Sequence, residues 1–422
     1  MTASDGDSRA GSGLREAAVS IASSLIQAGH IAYFAGGCVR DRLLGLEPKD
    51  YDIATDARPA QVKAVFPRAQ SVGESFGVML VRRKGHVIEV ATFRTDGVYS
   101  DRRHPDAVSF TDAEHDARRR DFTINGLFEH PLTGEIIDYV GGREDLEAGV
   151  IRAIGDPARR LLEDHLRMLR AIRFAARFRF AIEAETAEAI RAASGELRGI
   201  SRERIGQEVK WMFAGANRAV AAWEMQYLNV DAAVLNETHM IVAPRRLGRL
   251  PEEAAYPTCL AGWLLDRHDG TATDLRKIAR RWGAALMLSN VELRELTGCL
   301  QVRQALREQW GGLGVAAQKR LAARPAFRSG LMLLQAEDLQ AFVDVQRRVA
   351  ELAESGLAPD PLLTGDDLVE AGYEPGPVFK KILDGVYDAQ LEGAITTRRA
   401  ALDLARTILA AAEESGGASG TA

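Results

Sequence analysis

The sequence predicts two fold classes in one chain, an α/β domain with a mixed sheet over residues 1–155 and an all-α remainder. Two observations carry the division. Short β-branched and aromatic runs alternate with helical stretches in the first third, and helical spacing takes over from Asp156 onward. A third observation locates the chemistry. Between the first strand and the helix after it stands a glycine pair, Gly36-Gly37, whose backbone freedom suits a sharp turn that approaches a ligand closely.

Taken in order, residues 14–28 read as an amphipathic helix and 30–35 as a strand. Residues 39–44 form a short helix, 50–54 a second strand, and 59–66 a helix with Pro59 in its first turn. The β-branched runs 78–82 and 87–93, separated by Arg83-Lys84-Gly85-His86, predict a hairpin. Residues 95–117 are polar, charged and poorly periodic, the pattern of a mobile loop beside a site. Helical pattern resumes near Asp121, and 136–139 form a last strand. The clearest later helices are 159–178, 185–193, 203–213 and 219–227. Pro251, Pro257, Pro325 and Pro359-Asp360-Pro361 break the helical half, and residues 413–422 have a disordered composition.

A chain of 422 residues has room for two or three domains, and 46% hydrophobic with 27% charged residues is ordinary for a soluble globular protein. The sequence carries no apolar run of bilayer length and no export or organelle signal, so a cytoplasmic location is expected. Cys38, Cys259 and Cys299 lack metal spacing and fit a reducing compartment. A net charge of −5 gives no global nucleic-acid signature. Basic runs at Arg118-Arg119-Arg120, Arg245-Arg246 and Arg276–Arg281 are most simply read as solvated helix faces.

The chemistry concentrates in Phe34-Ala35-Gly36-Gly37-Cys38-Val39-Arg40-Asp41, followed by Asp50-Tyr51-Asp52. A glycine turn opening a helix offers backbone N–H groups to a polyphosphate. Asp50 and Asp52, two apart in a strand, face the same way and form a pair of hard ligands for Mg²⁺. The bland alternative is a turn or cap pair. Glu89 interrupts the apolar run 87–91 and is the best candidate for a third carboxylate, unless it simply faces outward. Arg40 can meet a triphosphate oxygen, while Asp41 braces the turn or Arg40 itself. Arg119-Arg120-Asp121-Phe122-Thr123-Ile124-Asn125 reads as basic groups before a helix capped by Asp121.

In Glu163-Asp164-His165-Leu166-Arg167-Met168-Leu169-Arg170, helical spacing makes Asp164 and Arg167 neighbours. Taken alone, that is a surface ion pair. The sharper reading is recognition of a base. Cytosine and adenine both present an amino donor beside a ring-nitrogen acceptor, which a carboxylate and a guanidinium complement. Uracil and guanine present the opposite order and would leave buried groups unpaired. Triphosphate cradle, metal carboxylates and such a reader together predict nucleotidyl transfer from CTP and ATP.

The order of these clusters resembles the class II tRNA nucleotidyltransferases and bacterial poly(A) polymerases. Gly36-Gly37-Cys38-Val39-Arg40-Asp41 with Asp50-Tyr51-Asp52 is similar to their first motif, and Arg119 to Asn125 to their second. Asp138-Tyr139-Val140-Gly141-Gly142-Arg143-Glu144-Asp145-Leu146 is similar to the third, Glu163 to Arg170 to the fourth, and Arg202-Glu203-Arg204-Ile205-Gly206-Gln207-Glu208 to the fifth. A fainter likeness to bacterial members lies at Thr364-Gly365-Asp366-Asp367-Leu368 and Pro375-Gly376-Pro377.

The resemblance implies a polymerase-beta-like nucleotidyltransferase head (1–155), then a helical neck (156–215), body (216–360) and tail (361–422). It implies Mg²⁺ bound by Asp50 and Asp52, and these two with Glu89, the candidate from the strand pattern, are the expected catalytic residues. Nucleotide contacts would come from Gly36, Gly37, Arg40, Arg120, Asp164, Arg167 and Arg170. The expected reaction is template-independent addition of CCA to tRNA, with no membrane or obligatory protein partner. The alternatives are a poly(A) polymerase, which the acidic chain and its last segment, 413–422, without basic residues disfavour, and an enzyme adding only CC or only A. A metal phosphohydrolase is disfavoured because His268-Asp269 is isolated and no histidine follows it.

Overall fold

The computed structural model describes residues 5–72, 76–97, 107–268 and 272–417, and its contacts fall into two compact units. The first comprises Met1–Ala243 with Ala284–Met287, the second Pro244–Gly283 with Leu288–Ala422. The expected head and neck therefore share the first unit with residues 216–243.

In the first unit, helix α1 (Asp5–Gln27) leads into strand β1 (Ala32–Ala35), helix α2 (Gly37–Leu43), strand β2 (Asp52–Thr55) and helix α3 (Pro59–Val65). Strands β3 (Gln70–Ser71), β4 (Val78–Arg83) and β5 (His86–Thr92) come next. The β4–β5 hairpin turns on Lys84 and Gly85, both at positive φ, as a two-residue turn matched to strand twist requires. A two-stranded ribbon, β6 (Arg94–Asp96) and β7 (Val108–Phe110), precedes helix α4 (Ala113–Arg118). Then come β8 (Phe128–Glu129), β9 (Ile136–Ile137), α5 (Gly142–Ala148) and β10 (Val150–Ile151). Helices α6 (Pro157–Glu163) and α7 (Arg167–Phe178), strand β11 (Ala181–Ile182), and helices α8 (Ala184–Ala193), α9 (Arg202–Phe213), α10 (Arg218–Tyr227) and α11 (Asp231–Leu235) complete it.

The main sheet runs β3-β4-β5-β2-β1-β8-β9, antiparallel throughout except between β2 and β5. Its mixed character is the predicted one. α1 packs against this sheet and buries Ala17, Ala18, Ile21, Ala22 and Leu25, the stripe that helical periodicity requires. Among the described residues of the second unit ten α-helices start within 245–398, and two apolar clusters help to organise them. One gathers Trp310, Phe327, Leu334 and Val345, and the other Leu363, Leu368, Ile382 and Val386. Arg246, from the basic run at 245–246, is committed to Asp266 and Glu337. Among the described residues no helix is long and apolar enough to cross a membrane.

Four local expectations need correction. Asp50 precedes β2 rather than lying within it. Of the segment expected as a loop at 95–117, residues 98–106 lie outside the described residues, and the described ends belong instead to the β6–β7 ribbon and α4, where Gly97 N–H donates to Ala107 and Arg94 N–H to Asp116. Arg102, Arg103 and His104 lie outside the described residues, as do Asp269 and the end of the tail beyond residue 417. Asp121 caps no α-helix; the chain beyond it makes a single 3₁₀ turn, Thr123–Asn125. Finally, the continuous helix expected at 159–178 breaks at Asp164, which is extended. Its side chain accepts from Leu166 N–H at 3.0 Å, a local bond that competes with the helical one.

Candidate active site

Antiparallel pairing sets Phe34 opposite Ile53, so the end of β1 and the start of β2 meet at one edge of the sheet. Gly36 leaves β1 there and Asp52 enters β2 there. Tyr51 and Ile53 are buried while Asp50 and Asp52 are exposed, so the alternation that sets one face continues through Asp50 although it stands outside the ladder. The parallel β2–β5 register pairs Asp52 with Glu89. Although Asp52 reaches solvent, the protein packed around its carboxyl desolvates it, and this, then Glu89 and Asp50, push it up to about 7, with Arg120 only partly opposing them. Burial also raises Glu89, against the pull of Arg94. Crowded carboxylates with too little neighbouring positive charge are what a divalent cation relieves, so Asp50 and Asp52 fit Mg²⁺. Among the described residues no set of three such donors converges on one metal position, and Glu89 stands beside the pair without completing a ligand triad.

Gly36 adopts φ 69° and ψ −120°, a conformation open to glycine, and its N–H donates to Leu127. A Cβ there would lie 2.8 Å from Arg120 Nη1. Gly37 begins α2 with ordinary φ, and its nearest obstacle is Arg40 Nη2 at 3.7 Å. Arg40 departs from expectation. It is 4% exposed, and its three guanidinium nitrogens donate to Asp41 and Asn125. Its guanidinium also lies about 5 Å from the Phe174 and Phe178 ring centroids. Arg40 therefore ties α2 to α7 and is not presented to a triphosphate, whereas Asp41 braces it as expected.

Arg120 runs beside the glycine turn, held by Asp116 at 3.0 Å and by the Asn125 carbonyl, with Phe128 5.1 Å from its guanidinium. Asp121 is buried. Its Oδ1 accepts from Phe122 N–H and Asn125 Nδ2, and its Oδ2 from Arg170 Nε and Nη2 at 2.8 and 2.6 Å. Burial opposes Asp121 ionisation, yet Arg170 and Asn125 hold its carboxyl well below the usual range. The charge of Arg170 is fixed by the same contact.

Asp164 and Arg167 are not paired with each other. Asp164 Oδ2 accepts from Arg204 Nη2 at 2.8 Å. Arg167 Nη1 donates to Glu163 at 2.6 Å and to the Arg160 carbonyl at 2.7 Å. Arg167 Nε and Nη2 have no partner among the described residues, and each Asp164 oxygen has a lone pair left over. The surface ion pair is excluded, and both groups are pre-positioned with donor and acceptor capacity unused.

A cleft of about 720 Å³ opens beside Asp50. Lys49, Arg170, Arg173, Arg177, Trp211 and residues 214–217 help to line it. Sequence reasoning stopped at Arg170 and missed the rest. The signal was there: 170, 173 and 177 share one helical face. Lys49 and Trp211 had no local signal, because the fold alone brings them to that face.

Two family models match the chain, the poly A polymerase head domain over residues 32–152 and the probable RNA and SrmB-binding site of polymerase A over residues 179–230. The CCA-adding enzyme of Lactiplantibacillus plantarum is 32% identical over 415 residues, 93% of this chain and 96% of the relative. That of Geobacillus thermodenitrificans is 34% identical over 397 residues, 90% of this chain and 94% of the relative. The crystal structure of the Bacillus stearothermophilus CCA-adding enzyme in complex with CTP matches at TM-score 0.75 and 28% identity, over 94% of this chain and 98% of that one. With likeness running nearly end to end through a mixed-sheet head and a helical remainder, the chain belongs to the family of CCA-adding enzymes.

Proposed function

We propose that this protein adds C, C and A to the 3′ end of tRNA, using CTP and ATP and releasing pyrophosphate. The observation that carries the reading is the carboxylate pair Asp50 and Asp52, set on one side at the sheet edge where the Gly36 turn leaves β1. The choice of CTP and ATP follows the relatives, which are named CCA-adding enzymes.

In this reading the RNA 3′-hydroxyl gives up its proton to solvent and its oxygen attacks the α-phosphorus, so that a new P–O bond forms as the bond to pyrophosphate breaks. Magnesium bound by Asp50 and Asp52 would supply a Lewis acid that lowers the hydroxyl pKa and offsets charge on the α-phosphate and leaving pyrophosphate. Gly36 and Gly37 let the backbone approach the triphosphate, and Arg120 adds positive charge beside the turn. Asp164 accepts from the exocyclic amino group of C or A while Arg167 donates to the ring nitrogen. Arg204 and Glu163 hold these two readers in place. Arg170 supports them indirectly, by fixing the start of α7 to Asp121. Functionally the chain divides into head (1–155), neck (156–215), body (216–360) and tail (361–422), and it works in the cytoplasm.

The test is nucleotide incorporation by purified protein with Mg²⁺ and tRNAs ending before CCA, after C and after CC. Addition of C, C and A, then arrest, is expected. Long A tracts on unrelated RNA would make the protein a poly(A) polymerase, in keeping with the name of the matching head model. Arrest after CC, or addition of A alone, would make it half of a split system.

A further inference from the structure

The cleft beside Asp50 carries a feature that the reaction as described does not use. Trp211 lies near the end of α9, 53% exposed, with the Arg173 guanidinium 5.3 Å from its ring centroid. Arg173 is held from behind by the buried Glu208, at 2.7 Å, and lies over Phe174. The indole is thus braced on one side and open on the other. Arg177 is likewise held from behind by the buried Asp41, at 2.8 Å. Arg173 Nη1 and Nη2 and Arg177 Nε and Nη1 have no partner among the described residues. Their balancing carboxylates are buried, and Lys49 adds a further cation at the cleft.

An open aromatic plate beside a row of guanidinium donors is the chemistry that holds a single nucleic-acid strand: a base stacks on the plate and phosphates meet the donors. The cleft has Asp50 at its wall, so a strand held there ends at the carboxylate pair. Asp164 and Arg167, proposed to read the incoming base, are not among its lining residues, so the cleft extends from Asp50 away from the base-reading pair. We propose that Trp211 is a stacking platform for a base of the RNA's single-stranded 3′ end, with Arg173 and Arg177 receiving its phosphates. The inference rests on the nucleotidyl-transfer reading and names the binding site of the acceptor strand within it.

The experiment compares Trp211→Ala, Trp211→Phe and the parent protein in steady-state incorporation on tRNA ending in CC. Trp211→Ala is expected to raise KM for tRNA about tenfold, with KM for ATP and the melting temperature unchanged; Trp211→Phe should restore KM to within about threefold. An unchanged KM for tRNA, a change that falls on the nucleotide instead, or equal losses in Ala and Phe would each overturn the proposal. Fluorescence polarisation of a labelled single-stranded RNA ending in CC separates this failure from failure of the broader reading. If no protein incorporates nucleotide, the nucleotidyl-transfer reading falls. A tenfold weaker binding of the oligonucleotide by Trp211→Ala would still support the platform, and equal binding would still overturn it.

Discussion

Arg170 grips the buried carboxylate of Asp121 through two nitrogens, at 2.8 and 2.6 Å. The bond begins a chain of charge-assisted contacts: Asp121 accepts from Asn125, Asn125 from Arg40, and Arg40 and Arg177 both donate to Asp41. Helix α7 is thereby fastened at both ends to the glycine turn and α2. In the proposed reaction the readers at the start of α7 and the carboxylates at the start of β2 act on one nucleotide, and this fastening would then set the distance between base recognition and chemistry.

Asp121→Asn should therefore cost about 2 kcal/mol at neutral pH, the scale of a hydrogen bond to a charged group, because the Arg170 left behind still reaches solvent. The sign of its pH dependence comes from the direction of the shift. Burial opposes ionisation, but Arg170 and Asn125 outweigh it and hold the folded-state pKa below the ordinary value. The unfolded chain then binds more protons in the acid range, and stability rises with pH. The contribution is fully present above about pH 4 and fades as pH falls toward the depressed value. Melting temperatures of parent and variant should differ at pH 7 and converge on acidification; a constant gap would mean that Asn damages packing instead.

Asp52 carries the opposite sign. Burial, Glu89 and Asp50 raise its carboxyl to about 7, so the metal-free folded protein favours the neutral form below that pH. Its favourable contribution is present below about pH 4 and is lost as pH rises toward 7. Without metal, Asp52→Asn should match the parent near pH 4 and melt higher than it at pH 8. Mg²⁺ should raise the parent's melting temperature at pH 8 and leave the variant's unchanged. Incorporation should fall at least about a hundredfold in the variant. In the parent it should climb as pH rises toward 7. A variant that melts lower than the parent at pH 8 would remove the crowding argument for a cation.

What the sequence could disclose here was local. The alternation of Asp50, Tyr51, Asp52 and Ile53 is a period-two signal, and it survives in the structure although Asp50 lies outside the ladder. The glycine turn was legible because few backbones need two glycines between a strand and a helix. The break at Asp164 was invisible because apolar spacing runs on at Leu161, Leu166, Met168 and Leu169, all buried as one helix would bury them. Arg40 was misjudged for a related reason. Nothing local reveals that Asn125, 85 residues on, takes its Nη1. Arg204, 40 residues from Asp164, and Trp211 at the cleft are likewise long-range neighbours that only the packing brings together.

The two glycines should separate on mutation. Gly36→Ala places a methyl 2.8 Å from Arg120 Nη1 at a backbone conformation L-residues rarely adopt. It should lose about 1–3 kcal/mol of stability, together with activity. Gly37→Ala meets nothing nearer than 3.7 Å and begins a helix, where alanine is favoured. Its melting temperature should hold or rise slightly while KM for CTP and ATP increases, because the methyl intrudes where the triphosphate approaches. Equal melting losses in the two variants would show that the pair serves the fold alone.

Asp164 and Arg167 give the sharpest test of base reading, because each is held by a separate partner. Asp164→Ala removes the acceptor for an exocyclic amino group while Glu163 still holds Arg167. Discrimination should collapse rather than activity alone: kcat/KM for CTP and ATP should fall, and the preference over UTP and GTP should shrink about a hundredfold. Arg204→Ala leaves both readers chemically intact but frees Asp164 from its 2.8 Å contact. It should give an intermediate loss of selectivity with a similar fold stability. Competition assays with paired nucleotides on tRNA ending in CC measure this directly. If Asp164→Ala lowers the rate with all four nucleotides by the same factor, Asp164 positions α7 and does not read the base.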